Sequence, residues 1–169
     1  YVALYNLADN YCDAGWESEI EEDIPCPSEE NFDQGFVQGL DNAELEDRNT
    51  TFEPTILTYP NDARGGYMVG RYPDLQIEEG DRFQATIGCQ FGAEACDVRY
   101  TLRVALTGEG FDRLGQWHEV YEGLFYPVDV DLSDYAGEEV EIVLSTIVAD
   151  DTGENFALWL NPRIVRETD

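Results

Sequence analysis

Between Asp97 and Leu106 hydrophobic and polar side chains alternate: Val98, Tyr100, Leu102, Val104 and Leu106 fall on one face, and Asp97, Arg99, Thr101, Arg103 and Ala105 on the other. Successive side chains of a strand point to opposite faces, so this run, continuing to Thr107, predicts a half-buried strand. Shorter versions of the pattern recur at Phe83-Ala85-Ile87, at Val128-Val130-Leu132 against Asp129 and Asp131, and at Val140-Ile142-Leu144 against Glu139 and Glu141. Further strands are expected over residues 1–7, 35–40, 54–59, 66–72, 116–122 and 156–166, which are rich in β-branched and aromatic residues. Turn-forming clusters separate them, among them Pro60-Asn61-Asp62, Glu79-Gly80-Asp81, Gly108-Glu109-Gly110 and Asp151-Thr152-Gly153. About ten short strands without a convincing amphipathic helix predict an all-β, two-sheet antiparallel β-sandwich, a jelly roll.

The 169 residues suit one domain, and no repeat or linker divides them. With 43% hydrophobic residues the chain folds despite its charge. No run approaches the roughly 18 apolar residues that a membrane-crossing helix needs, so membrane insertion is not expected. The chain opens on Tyr1 with neither an initiating Met nor an apolar leader, the expectation for a mature exported protein whose leader has been removed.

Four cysteines, Cys12, Cys26, Cys89 and Cys96, change the picture further. An even count in an exported chain predicts two disulfides. Of the three possible pairings the local one, Cys12 with Cys26 and Cys89 with Cys96, is favoured because each pair brackets a polar loop that a covalent link would stiffen. Zinc is not expected, because there is no CxxC and His118 is the only histidine.

The net charge of −28 comes from 37 acidic residues against nine basic ones, all of them Arg. Nucleic acid and anionic membranes are thereby unfavourable partners. Residues 9–30 hold nine acids and no base, and residues 114–162 hold no Arg or Lys. Such stretches invite divalent cations, and the Asp150, Asp151, Glu154, Asn155 turn gathers enough oxygen donors to be a candidate calcium site. Asp129 and Asp131 share a strand face, but neither they nor His118 stand in a recognisable catalytic constellation, and a non-catalytic protein is expected. Asn49-Thr50-Thr51 is a formal glycosylation sequon.

Aromatic side chains suited to stacking on sugar rings are Trp16, Tyr67, Tyr72, Trp117, Tyr121 and Tyr126. Trp117 and Tyr121 have equal parity on one strand and are the expected glycan-binding pair.

Two strings carry a family resemblance: Leu114-Gly115-Gln116-Trp117-His118-Glu119-Val120-Tyr121-Glu122-Gly123, and Val128 to Leu132 followed by Ser133-Asp134-Tyr135-Ala136-Gly137 and a closing Ala157-Leu158-Trp159-Leu160-Asn161-Pro162-Arg163-Ile164. They resemble the last strands of galactose-binding-like, carbohydrate-binding-module-like jelly rolls. The first half, with Gly15-Trp16-Glu17-Ser18 and Gly35-Phe36-Val37-Gln38-Gly39-Leu40, looks like the same domain type in secreted proteins of filamentous environmental bacteria. The resemblance implies an exported, non-catalytic module that often holds a structural calcium and sometimes a glycan. At the calcium position that it implies, Asn155 stands where the family has Asp.

Two functional readings follow. The first is an extracellular or cell-surface structural protein that self-associates, stabilised by calcium and linked by addition of its N-terminal strand (Tyr1, Val2, Leu4, Tyr5, Leu7) to a neighbour. The alternative is a carbohydrate-binding module recognising an extracellular glycan.

Overall fold

The computed structural model describes residues 1–63, 65–106, 109–150 and 153–168. Its strands are β1 (Val2–Asn6), β2 (Gly15–Ser18), β3 (Phe36–Leu40), β4 (Thr55–Tyr59), β5 (Tyr67–Arg71), β6 (Leu75–Gln76), β7 (Asp81–Cys89), β8 (Asp97–Leu106), β9 (Phe111–Val120), β10 (Tyr126–Asp131), β11 (Glu139–Val148) and β12 (Ala157–Arg166). They form two six-stranded antiparallel sheets. The first runs β10-β7-β12-β4-β3 with β1 also on β12; the second runs β2-β5-β11-β8-β9 with β6 also on β11. Each sheet thus has one long strand, β12 or β11, flanked on one side by two short strands placed end to end. Among the described residues no helix is long and apolar enough to cross a membrane.

The two-sheet sandwich expected from the alternation is present, with twelve strands among the described residues in place of about ten. The additional ones, β2 and β6, span four and two residues and are too short for alternation to reveal. Val98, Tyr100, Leu102 and Val104 of β8 meet Val140, Ile142 and Leu144 of β11, and across the sandwich Phe83, Ala85, Ile87 and Trp159 of the first sheet. Transfer of apolar surface out of water drives this packing, at about 25 cal/mol per Å². A smaller cluster on the outer side of the first sheet joins Phe36, Leu57, Tyr59, Leu158 and Leu160 to Ala43 and Leu45 of the loop above them.

Strand β12 departs from strict alternation. Against β7, Leu160 pairs with Thr86 but Arg163 with Gln84, so one extra residue is inserted, and Asn161 adopts φ 48°. A bulge of this kind reverses the parity beyond it. Trp159 and Ile164, odd and even in number, therefore both enter the main core. Cys12 is bonded to Cys26 and Cys89 to Cys96, the local pairing.

Candidate functional site

The register of the second sheet fixes which side chains share its outer face. Inward residues of β8 and β11 build the core, so their alternates point outward, and the pairing lines them up across strands. One row runs Glu17 (β2), Val69 (β5), Ser145 (β11), Thr101 (β8) and Gln116 (β9). Beside it runs Arg71 (β5), Val143 (β11), Arg103 (β8) and Arg113 (β9).

These rows enclose a groove of about 320 Å³. Val69, Val143, Ser145 and Ile147 form its floor; Glu17, Tyr67 and Arg71 rise on one side, Arg103 and Phe111 on the other. Val143 and Ser145 are buried although they lie on the outer face, because the long side chains around them shade the floor. Ser145 and the neighbouring Thr101 hydrogen-bond to each other through their hydroxyls.

Arg71 organises the groove. Its guanidinium lies 4.5 Å from the centroid of the Phe111 ring, a cation–π contact that spans β11 and β8. It is also 4.0 Å from carboxylate oxygens of both Glu17 and Glu141. Exposed ion pairs of this length add little stability, but together with the ring they hold the guanidinium over the floor. Arg71 also lines two adjoining depressions, one toward Trp16 and Ile24 and one toward Glu109 and Glu141, so the concavity continues across the sheet. The amide of Tyr67 donates to Glu19 Oε2 at 2.8 Å.

The expected stacking pair lies elsewhere. Trp117 and Tyr121 share parity with Glu119 and turn inward, toward the core; the pairing of Trp117 with Tyr100 and of Glu119 with Val98 sets this direction. The Trp117 indole lies across Gly115, where an added Cβ would come within 2.4 Å of it. The Tyr121 hydroxyl accepts a hydrogen bond from the Gly92 amide at 3.1 Å. The pair is half-buried and packs against the core, on the face of β9 opposite the groove. Alternation shows that two residues share a face; it does not say which face.

Glu119 itself is only 2% exposed, and its Oε2 has no hydrogen-bond partner among the described residues. Burial first, then the nearby Glu46 and Glu122, push its carboxyl up to about 8. Glu46, also buried, spends its oxygens on the amides of Cys89 and Leu124, each at 3.0 Å.

The candidate calcium turn is partly engaged in the fold. Glu154 Oε2 accepts from the Ala95 amide at 2.9 Å and buried Asn155 Oδ1 from the Asp97 amide at 3.0 Å, so both clamp the loop closed by Cys89 and Cys96. Asp150 lies on the same turn; Asp151 lies outside the described residues. Among the described residues no three His, Cys, Asp or Glu side chains converge in a metal-binding arrangement. Asp129 and Asp131 hold Arg82, at 2.7 and 3.7 Å, and His118 Nε2 lies 2.5 Å from Asp97 Oδ1.

The N-terminal strand, expected to be donated to a neighbour, pairs within its own chain. Val2 lies opposite Arg166, Ala3 opposite Val165 and Tyr5 opposite Ile164. Leu7 is buried and Tyr5 packs edge-on against Tyr72, while Tyr1 and Val2 remain 63% and 50% exposed.

Arg71, Arg103 and Phe111 escaped the sequence reading, although Tyr67 stood among its candidate aromatics. Their signal was present: Arg99 and Arg103 share one strand face in a chain that has almost no basic residues.

No family model matches the chain, and no curated protein matches it either. Solved structures do. The chain is similar to CBM51-2, solved with GlcNAc together with INT domains of Clostridium perfringens ZmpB, at 18% identity and TM-score 0.53; the match covers 80% of this chain and 30% of that one. It is similar to TmCBM61 in complex with β-1,4-galactotriose, at 10% identity and TM-score 0.50, over 81% of this chain and 91% of that one. It is also similar to the Stig cyclase Fisc of Fischerella sp. TAU, in complex with an indole derivative, at 13% identity and TM-score 0.55, over 90% and 85% of the two chains. At these identities the likeness shows the fold alone, a two-sheet antiparallel β-sandwich.

Proposed function

We propose that this chain is a non-catalytic, exported carbohydrate-binding module that lays a glycan along the groove on the outer face of the second sheet. The observation that carries this reading is the composition of the groove. Tyr67 and the 43% exposed Phe111, one of whose ring faces Arg71 covers, supply aromatic surface suited to the apolar faces of sugars, while Arg71, Arg103 and Glu17 line the same space with donors and acceptors for hydroxyls. Carbohydrate-binding modules among the solved relatives support it through the fold. Two disulfides fit export to an oxidising compartment. The structural-assembly reading has less support, since β1 is already paired with β12 of its own chain.

Binding of the purified protein to a panel of plant, algal and bacterial polysaccharides, followed by calorimetry on those that bind, tests the proposal. Phe111→Ala and Tyr67→Ala are each expected to weaken binding about tenfold, equivalent to about 1.4 kcal/mol, whereas Arg82→Ala on the other sheet leaves it unchanged. Reducing ends should not accumulate during incubation. Absence of binding across the panel, or binding insensitive to both groove variants, would overturn it.

A further inference from the structure

We propose that the glycan bound in this groove is acidic, carrying carboxylate or sulfate groups that arginine side chains of the sheet face engage; this rests on the glycan reading above. Eight of the nine arginines lie among the described residues. Four of them lie away from the second sheet, each with a partner: Arg82 with Asp129 and Asp131, Arg166 with Asp81 and Glu78, Arg163 with Gln84 and the Asn161 carbonyl, and Arg48 with the Phe91 ring. The other four, Arg71, Arg99, Arg103 and Arg113, all project from the outer face of the second sheet. A protein with 37 acidic residues has concentrated half of its described arginines on one face.

Pairing on that face is incomplete. Arg71 has Glu17 and Glu141, and Arg113 gives one N–H to Gln116 Oε1 at 2.5 Å. Arg99 and Arg103 have no carboxylate within ion-pairing distance among the described residues. Arg103 and Arg113 moreover stand directly opposite each other in the β8–β9 register. Like charges facing each other across a strand pair are destabilising, and the acid excess of this chain offers many ways to relieve them. A bound anion relieves them and uses the guanidinium fork, which matches carboxylate and sulfate oxygens two at a time.

The spacing fits a chain with several charges better than a single small anion. Strands lie about 4.8 Å apart and rise about 3.4 Å per residue. Arg71 and Arg103 are therefore about 10 Å apart across β11, and Arg99 and Arg103 about 14 Å apart along β8. The groove with Tyr67 and Phe111 lies among these anchors, so apolar ring contacts and ionic contacts meet one extended ligand.

Calorimetric titration with polygalacturonate and its carboxyl-reduced form, and with a sulfated galactan and its desulfated form, separates the two anion sources. At least one acidic polymer is expected to bind tenfold or more tightly than its neutral form. The Arg99→Gln/Arg103→Gln double variant is expected to lose that advantage, binding acidic and neutral forms equally, with a thermal midpoint no lower than the parent's. Equal binding of acidic and neutral forms by the parent overturns the acidic specificity but leaves a glycan module. Equally tight binding of single-stranded DNA of matched charge overturns a sugar-directed site. If none of the four polymers binds while the wider panel yields a ligand, this inference fails alone; if nothing binds anywhere, the glycan reading fails with it.

Discussion

Glu119 shows what a single side chain does when packing, not ion pairing, decides its place. It occupies an inward position of β9 between two aromatic neighbours of equal parity, and its carboxyl is pushed up to about 8 chiefly by burial. In the unfolded chain an ordinary Glu titrates near 4.3. Between the two values the native state holds one proton more than the unfolded state, so this group lowers stability as pH rises, by about 1.4 kcal/mol per pH unit, and contributes no slope outside that window. Glu119→Gln removes the titration. The variant should gain on the parent steadily from pH 5 to pH 8 in urea unfolding, the difference levelling off above pH 8; a difference independent of pH would refute the assignment. Asp81 is the opposite case. Fully buried, it takes two N–H groups of Arg166, at 2.7 and 3.0 Å, and the Glu78 amide at 2.8 Å. Arg166→Met leaves that carboxylate buried without its cation and is expected to cost roughly 3 kcal/mol, readable as a lower urea midpoint with unchanged slope.

At the scale of elements, the sequence was most legible where alternation was longest. β8 could be assigned face by face because its apolar set is uninterrupted and every outward position is polar or small; in β11 the contrast holds from Glu139 to Ile142 and is lost at the outward Val143 and Ile147. β9 lacked that contrast: Leu114, Trp117, Val120 and Tyr121 are distributed over both parities, and the shift between Leu102 and Arg103 in the β8–β9 pairing is invisible in a one-dimensional pattern. Parity could therefore join Trp117 to Tyr121 but not tell which way they turn. The groove was hidden for a related reason: its members come from β2, β5, β11, β8 and β9, and only the strand order brings Arg71 to Phe111. The inward assignment of Trp117 has a direct check in Gly115, whose missing side chain leaves room for the indole. Gly115→Val places methyl groups where a Cβ alone already meets the ring at 2.4 Å. The indole must leave its seat, with an expected loss of about 1–3 kcal/mol and a red shift in tryptophan emission. A variant as stable as the parent, with an unshifted spectrum, would contradict the packing.

For the molecule as a whole, the consequence of the charge depends on distance. The described surface measures 8192 Å², so 28 net charges spread over it lie on average about 17 Å apart. At about 10 mM salt the screening length is about 30 Å and every charge feels many others; at 0.15 M it is about 8 Å and the average neighbour is screened. Self-repulsion opposes the compact state only in the first regime. The thermal midpoint should therefore rise by several degrees between 10 and 150 mM NaCl and flatten beyond about 0.5 M, equally in NaCl and in KCl. A midpoint that keeps climbing through molar salt would point to an adaptation to brine that diffuse repulsion does not require. The two charge patterns of this chain act over different ranges. The acidic excess acts at long range and slows the approach of a polyanion at low salt. The arginines of the second sheet act only at contact, through hydrogen bonds with which the distant charges do not compete. For an acidic glycan the association rate should accordingly increase from 10 to 150 mM salt, the reverse of what a basic protein shows. Arg99→Gln/Arg103→Gln should act mainly on dissociation, as surface plasmon resonance at the two salt concentrations would resolve. An association rate that falls with salt would mean that the arginine face, not the acidic remainder, governs the encounter.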